Sequence, residues 1–304
     1  MRLSHHRLSD HCIQKERLGD LKRSSRSESC STLEERVHAL SPFPATYDVL
    51  NGQGVGFTEY SYTEFATGLW VTSQSVEINA RIMEEALKQG GDASLDNYKT
   101  ALMDKYVLGA IPDKWTKARK IVFMPGHNRM DVASVENITR LAFEDEEILI
   151  KPHPLTDDGG MAVLGRSLGW NRIIPKDISG FELLKNCDVV YTTSASEMAM
   201  SGTALGKTVV NVSNFFFEGS GTYHPISRLL FKAHRDHGVH HAQHVLGTLI
   251  NSQVSGLIFP WQSDIDDRLT QFFDTSLALR NQLKPIAAPL APTRTKGPSD
   301  DKTQ

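Results

Sequence analysis

The stretch Ile148-Leu149-Ile150-Lys151-Pro152-His153-Pro154 decides the fold of this chain. Three consecutive aliphatic residues predict a short buried strand, because a strand that is covered on both faces shows no polar alternation. The two prolines stop that strand, since neither can donate to a sheet ladder. Four more short apolar runs have the same form, and each is followed by Pro, Gly or small polar residues. They are residues 120–124, 173–174, 189–192 and 208–212.

Helical patterns separate these runs. Alternation of short strands and helices predicts an α/β fold, with a Rossmann-like parallel sheet and helices on both of its faces. Three of the predicted helices carry a terminal signal. These signals are Asp131 as the N-cap of a helix through Ile138 and Leu141, Ser179 with Glu182 at capping-box spacing, and Gly206 after a helix that begins near Ser196.

The rest of the chain is less regular. Residues 1–44 are polar and predict a mobile arm, and the proline-rich residues 285–304 predict a disordered tail. Residues 45–117 predict a reduced N-terminal α/β region with two helices, near 78–87 and 95–106. Residues 118–284 predict the Rossmann-like domain, which ends in C-terminal helices near 242–250 and 266–283. The glycines at 52, 54 and 56 predict a turn and no dinucleotide fingerprint.

Composition bounds the possible functions. The 304 residues are 39% hydrophobic and 23% charged, which is typical of a soluble globular protein. A net charge of -3 gives no support to nucleic-acid binding. Three cysteines without a CxxC pair favour a reducing compartment, and we see neither a secretory signal nor an apolar run of transmembrane length. The sequence predicts a cytoplasmic protein.

The loops after the predicted strands carry the functional prediction, because parallel sheets bind ligands at the carboxyl ends of their strands. These loops contain cations, imidazoles and small hydroxyls, which suit a phosphate or diphosphate. The groups in question are His127, Arg129, Lys151, His153, Lys176, Ser194 and Ser196.

Four segments together resemble the donor-binding half of GT-B (two-Rossmann) glycosyltransferases, and most of all capsule polysaccharide and CDP-glycerol glycerophosphotransferase-type enzymes. They are ILIKPHP at 148–154, NCDVVYTT at 186–193, SASE at 194–197 and GKTVV at 206–210. The resemblance covers roughly residues 118–214. The chain departs from the family at Thr208, where proline is usual, and in a first region shorter than a complete acceptor domain. The SASE turn also resembles that of UDP-N-acetylglucosamine 2-epimerases.

The resemblance implies a set of site residues. His153 and Lys151 would meet the donor phosphates, with Ser194 and Ser196 adding hydroxyl and backbone contacts, and Glu197 would accept hydrogen bonds from a ribose. Two further pairs complete the set. They are Ile173 and Ile174, which would border the base, and His127 and Arg129, which would approach the diphosphate from the other side. His153 and His127 are the expected catalytic groups. The acceptor's base stays open among Asp48, Glu59 and Glu64.

The expected function is transfer of a sugar or a polyol phosphate from a nucleotide-activated donor, such as a nucleotide sugar or a CDP-polyol, to an unidentified acceptor, with no cofactor and no metal ion. Two alternatives stay open: an isomerase resembling the 2-epimerases, and a module that binds a nucleotide or sugar phosphate without turnover. Two other clusters have plainer explanations. The histidines between His234 and His244 predict a surface or ligand-adjacent face, and Asp264, Asp266 and Asp267 complement a helix N-terminus.

Overall fold

A computed structural model describes residues 40–41, 60–65, 67–73, 75–105, 111–126, 133–156, 158–214 and 223–283. The predicted tail, the glycines of 52–56 and all of the predicted arm except residues 40–41 lie outside these ranges. The elements in chain order are β1 (Leu40–Ser41), β2 (Tyr60–Phe65), β3 (Gly68–Ser73), α1 (Val76–Gln89), α2 (Asp96–Lys105), α3 (Asp113–Thr116), β4 (Lys120–Phe123), α4 (Val135–Glu144), β5 (Ile148–Lys151), α5 (Asp158–Leu168), a 3₁₀ turn (Trp170–Arg172), α6 (Gly180–Asn186), β6 (Val189–Thr192), α7 (Met198–Ala204), β7 (Thr208–Asn211), α8 (His224–His237), α9 (Val239–Asn251), β8 (Leu257–Ile258) and α10 (Ile265–Leu283).

Four of the five predicted strands form one parallel sheet in the order β5-β4-β6-β7. The fifth is reduced to a single parallel bridge from Ile173 to Ile150, with the Ile174 N–H donating to the Ile150 carbonyl at 2.8 Å. Only two residues separate the 3₁₀ turn from Pro175, so the ladder has no room to extend. With the bridge counted, the chain order across the sheet is 3-2-1-4-5, which is that of Rossmann-like folds. The predicted fold class is confirmed.

Helices cover both faces of this sheet, and the side-chain alternation of β4 shows how. Ile121 and Phe123 face a core built with α3, α6 and α7, whereas Val122 faces a core built with α4 and α5. Successive residues of a strand point to opposite faces, so a strand between two helical layers must be apolar throughout. The continuous apolar runs of the sequence therefore follow from a sheet buried on both sides.

The helix caps match the sequence at Ser179 and Gly206 and differ elsewhere. The Ser179 hydroxyl accepts from the Glu182 N–H at 3.4 Å, and Gly206 has φ of 74° after α7. Ser134 caps α4 by accepting from the N–H of residue 137, so the predicted start at Asp131, which lies outside the described ranges, is three residues early. A serine one residue before a helix satisfies the first N–H groups as well as an aspartate does.

A second sheet combines three N-terminal strands with β8 from the C-terminal part of the described residues. β2 and β3 pair antiparallel, and β8 adds to the other side of β3, where Leu69 pairs with Ile258 and Trp70 with Leu257. One apolar core contains side chains of β2, β3, α1 and α2 together with α8, α9, α10 and β8. The segment after residue 223 therefore packs on the N-terminal region, and the division near residue 117 stays a prediction. In the part of the chain that the structure describes, no helix combines the length and apolarity needed to cross a membrane.

Candidate functional site

The strand order creates a topological switch point at the carboxyl edge of the parallel sheet. After β4 the chain continues to β5 on one side, and after β6 it continues to β7 on the other, so the connections diverge between β4 and β6. Ligands of doubly wound sheets bind at such a divergence. Residues 124–126 after β4 and residues 193–197 after β6 are the described segments that border it.

The strand register sets the spacing of the loops along this edge. Lys151 is level with Phe123, and Val122 with Tyr191, so Thr192 lies in the same row as Phe123. Neighbouring strands lie about 4.8 Å apart, which places the backbones of Lys151 and Thr192 about 10 Å apart. His153 and Ser194 each follow two residues after this row. The two loops therefore open on the same edge of the sheet, on either side of β4.

A junction at Ser213 brings Ala133, which lies just before α4, to the end of β7. Ala133, which follows the undescribed residues 127–132, forms a bridge with Ser213 just after β7. The Ser213 hydroxyl accepts from the Ser194 N–H at 3.0 Å. The segment that contains His127 and Arg129 thus starts at Gly126 after β4 and ends beside the residue that holds Ser194. His127 and Arg129 themselves lie outside the described residues.

The turn at 193–197 is held mainly through its backbone. The Ser194 carbonyl accepts from the Tyr223 N–H at 2.9 Å, and the Ser194 side chain is buried. The Ser196 hydroxyl accepts from the Met198 N–H at 3.2 Å and so begins α7. Ser196 is half-buried, as is Glu197. Of the two serines predicted to meet phosphate, Ser196 is thus the more accessible and Ser194 organises the turn.

His153 is half-buried and its ring orientation is set locally. Its Nδ1 accepts from the Leu155 N–H at 3.1 Å, and its carbonyl accepts from the Thr156 N–H at 2.9 Å. When Nδ1 accepts a hydrogen bond, the proton of the neutral imidazole is on Nε2. The ring therefore carries its donor on the side away from its own turn.

Lys151 is placed differently from the sequence expectation of a lysine at the rim. Its side chain is buried, and its Nζ donates to the carbonyls of Pro152 at 2.6 Å and Lys176 at 3.1 Å. Desolvation lowers the pKa of this ammonium to about 8, although Asp177 opposes the shift. The predicted base neighbours, Ile173 and Ile174, are also buried, in the cores on opposite faces of the sheet.

Buried phenols near Glu197 were missed by sequence reasoning. Burial raises the pKa of Tyr98 and of Tyr223, and in both cases the charge of Glu197 raises it further. Ser201 lies one helical turn after Glu197, and its hydroxyl is close enough to that of Tyr98 to oppose the shift. Helical spacing marks Tyr98 only as a core position, so the sequence holds no signal for the placement of its hydroxyl.

No family model matches the chain, and no curated protein matches it. Among solved structures, a protein assigned as a UDP-N-acetylglucosamine 2-epimerase from Listeria monocytogenes aligns over 63% of this chain and 52% of its own, at 11% identity and a TM-score of 0.32. The beta Kdo 2,7 transferase KpsC of Thermosulfurimonas dismutans aligns over 75% of this chain and 82% of its own, at 17% identity and a TM-score of 0.38. The chain spans about half the length of the first of these proteins. The α/β class follows from the chain's own strand order.

The histidine-rich stretch does not form one helical face. Gly238, with φ of 82°, separates α8 from α9, so His234 and His244 lie on different helices. The rings of His237 and His241 meet edge to face across this break, 4.6 Å apart. Among the described residues, no three metal-binding side chains are grouped closely enough to hold an ion. Asp264 forms an ion pair with Arg268 at 2.8 Å at the start of α10, as a helix-terminal acid would.

Proposed function

We propose that this protein is a glycosyltransferase-like enzyme, which transfers a sugar or polyol phosphate from a nucleotide-activated donor to an acceptor. One observation carries the proposal. The loop with His153 and the turn with Ser196 open on the same edge of a Rossmann-like sheet, on either side of β4 and next to the point where the connections diverge. That edge is where the resemblance to the donor-binding half of GT-B enzymes locates the donor.

His153 and the serine turn suit the chemistry of a leaving phosphate. When the bond from the donor group to the phosphate breaks, negative charge develops on the departing oxygen. The Nε2–H of His153 would donate to that oxygen, and this hydrogen bond strengthens as the charge grows. Ser196 would add a hydroxyl donor and Glu197 would accept from the ribose. Ser194 would support the same phosphates through the turn that it holds.

The remaining predicted groups enter the proposal in different ways. His127 and Arg129 would approach the diphosphate from the β4 side, because both ends of their segment lie at this edge. Lys151 would act through the loops to which it is bonded, since its Nζ is engaged by two carbonyls. The cationic and imidazole groups together would neutralise a diphosphate without a metal ion.

A second function, isomerisation of the nucleotide sugar itself, is supported by one observation. Glu197, at the carboxyl edge of the sheet, is close enough to two buried phenols, Tyr98 and Tyr223, for its charge to raise their pKa. An epimerase needs acid and base groups around its sugar and no acceptor, and a carboxylate beside protonated phenols offers both. The transferase instead needs a base for the acceptor hydroxyl, for which Glu64, Asp48 and Glu59 stay open.

Incubation with UDP-sugars and CDP-glycerol separates the possibilities. A transferase releases nucleotide at a rate that rises when an acceptor extract is added. An isomerase converts the sugar and releases no nucleotide, and a binding module returns the donor intact. We expect acceptor-dependent release with at least one donor. Conversion of the sugar without nucleotide release would replace the proposal with the isomerase.

A further inference from the structure

Lys151 is the residue that ties the loops of the carboxyl edge to one another. Its carbonyl accepts from the N–H of Met124, the first residue after β4, at 3.0 Å. Its ammonium donates to the carbonyl of Pro152 in the loop after β5 and to that of Lys176 in the loop after Ile174. One residue thus contacts three of the segments that border the sheet edge.

The burial of this lysine calls for an explanation beyond stability. An ammonium removed from water loses its hydration, and two carbonyl acceptors recover only part of it. The lowered pKa of Lys151 reflects that loss, and its charged neighbour, Asp177, is exposed. A methionine would fill the same space at a smaller desolvation cost. The lysine is therefore explained by the two carbonyls that it holds.

We infer that Lys151 is a positioning residue, which fixes the loop of residues 152–156 against the loop of residues 174–177 and so aims His153 at the ligand. The inference rests on the proposed function for the identity of that ligand. The mechanism requires no contact between Lys151 and the donor. His153 is two residues from the Lys151 backbone, and the carbonyl between them, that of Pro152, is one of the two that the ammonium holds.

Hydrogen exchange tests the positioning without any ligand. In Lys151→Met, we expect amide exchange in residues 153–156 and 174–177 to rise at least tenfold, because the two carbonyls lose their common donor. Lys207→Met is the matched control. The Lys207 Nζ also donates to a backbone carbonyl, that of Lys185, at 3.0 Å, but at the amino edge of the sheet. In Lys207→Met, amide exchange in the same two loops should stay within about twofold of wild type.

The imidazole of His153 supplies a readout that general loosening would not move. Nitrogen shifts of its side chain, assigned with His153→Gln, should show the Nε2–H tautomer in wild type and a mixture of tautomers in Lys151→Met. Lys151→Arg, which keeps a charged donor, should retain most of the preference and guards against a methionine variant that fails to fold. Unchanged exchange and an unchanged tautomer in a folded Lys151→Met would overturn the inference.

Calorimetric titration with CDP and with UDP separates this inference from the proposed function. We expect the Kd of the nucleotide that binds to rise about tenfold in Lys151→Met and less than threefold in Lys207→Met. If wild type binds neither nucleotide, the proposed function fails, while exchange and the tautomer still decide the placement of His153. Faster amide exchange in the two loops with unchanged nucleotide affinity would also overturn the inference. The inference states that Lys151 orients His153 towards the ligand, so its loss must weaken binding.

Discussion

The hydroxyl of Thr203 and the Nε2 of His234 lie 2.9 Å apart and join α7 to α8. The Thr203 hydroxyl donates to the Ala199 carbonyl at 2.7 Å, so it accepts from the imidazole, whose Nε2 therefore carries the proton. The Nδ1 of His234 is buried and has no hydrogen-bond partner among the described residues. A second proton would have to enter at that unpartnered nitrogen.

This contact predicts a loss of stability in mild acid. Burial lowers the pKa of His234 to about 4, below the value of about 6.5 in an unfolded chain. The unfolded state binds the extra proton first, so the stabilisation is complete above pH 6.5 and is lost as the pH falls towards 4. We expect His234→Gln to remove about 1–3 kcal/mol of the decrease in unfolding free energy over that window.

Urea unfolding at intervals from pH 7.5 to 4 measures the effect. His240→Gln is the control, because His240 is exposed on the adjoining helix α9. Its curve should follow that of wild type. If the unfolding free energies of wild type and His234→Gln fall equally steeply as the pH is lowered, other groups cause the acid destabilisation.

At Gly247, even a substitution by alanine should lower the free energy of unfolding considerably. A Cβ at this position of α9 would collide with the backbone carbonyl of Ala93, in the segment between α1 and α2. The Asn251 side chain donates to the neighbouring Ser94 carbonyl at 2.8 Å and holds that segment in place. We expect Gly247→Ala to cost about 2–4 kcal/mol despite the better helix propensity of alanine, because a backbone cannot yield as a side chain does. His240→Ala in the same helix should change thermal stability by less than about 0.5 kcal/mol.

Tyr98→Phe distinguishes the proposed transferase from the isomerase. The variant removes a buried hydroxyl beside Ser201 and Thr67, which should cost about 1 kcal/mol of stability. If the protein is a transferase, the Tyr98 hydroxyl has only a structural role in the core, and turnover should fall less than about tenfold. Tyr60→Phe is the control, since the Tyr60 hydroxyl donates to Ser276 in the same core. A loss of more than about a hundredfold in Tyr98→Phe alone would indicate acid–base work by the phenol and favour isomerisation.

The sequence predicted the sheet well because its strands are buried on both faces. Unbroken aliphatic runs mark such strands directly, and the prolines after Lys151 and Ile174 mark where pairing stops. The third predicted strand is reduced to one bridge at Ile173, because the 3₁₀ turn before it and Pro175 after it leave no room for a longer ladder. Helix α8 was missed, although its buried residues Ile226, Leu230 and Ala233 have helical spacing.

The site was predicted less completely than the fold. The positions of the loops follow from strand order, so the edge with His153 and Ser196 could be expected. The direction of a side chain after a strand could not. Lys151 turned inward to the carbonyls of Pro152 and Lys176, and no local pattern encodes a tertiary partner such as Lys176. The approach of Tyr98 to Glu197 likewise depends on how α2 packs against α7.

We expect turnover to persist in EDTA. His127, Arg129 and His153 would supply the charge and the donors for a leaving diphosphate without a bound ion. Rates before and after dialysis against EDTA should agree within about twofold, with a metal-dependent transferase as the control. Complete loss that Mn²⁺ or Mg²⁺ restores would contradict this prediction. Asp264, Asp266 and Asp267 would then be the first groups to substitute.

His153 carries the central claim, that the loop after β5 binds the phosphate of the donor. Removing a donor to the developing charge should cost about 2–4 kcal/mol in the transition state, or roughly 30- to 1000-fold in rate. Stability should change by less than about 1 kcal/mol, because His153 is half-buried at the sheet edge and lies outside the three apolar cores.

The decisive measurement is kcat/KM for donor turnover together with the melting temperature of His153→Ala, with His240→Ala as the matched histidine control. The account predicts a loss of kcat/KM of roughly 30-fold or more at a melting temperature within about 3 °C of wild type. A variant that melts early and turns over normally would contradict it and remove His153 from the site.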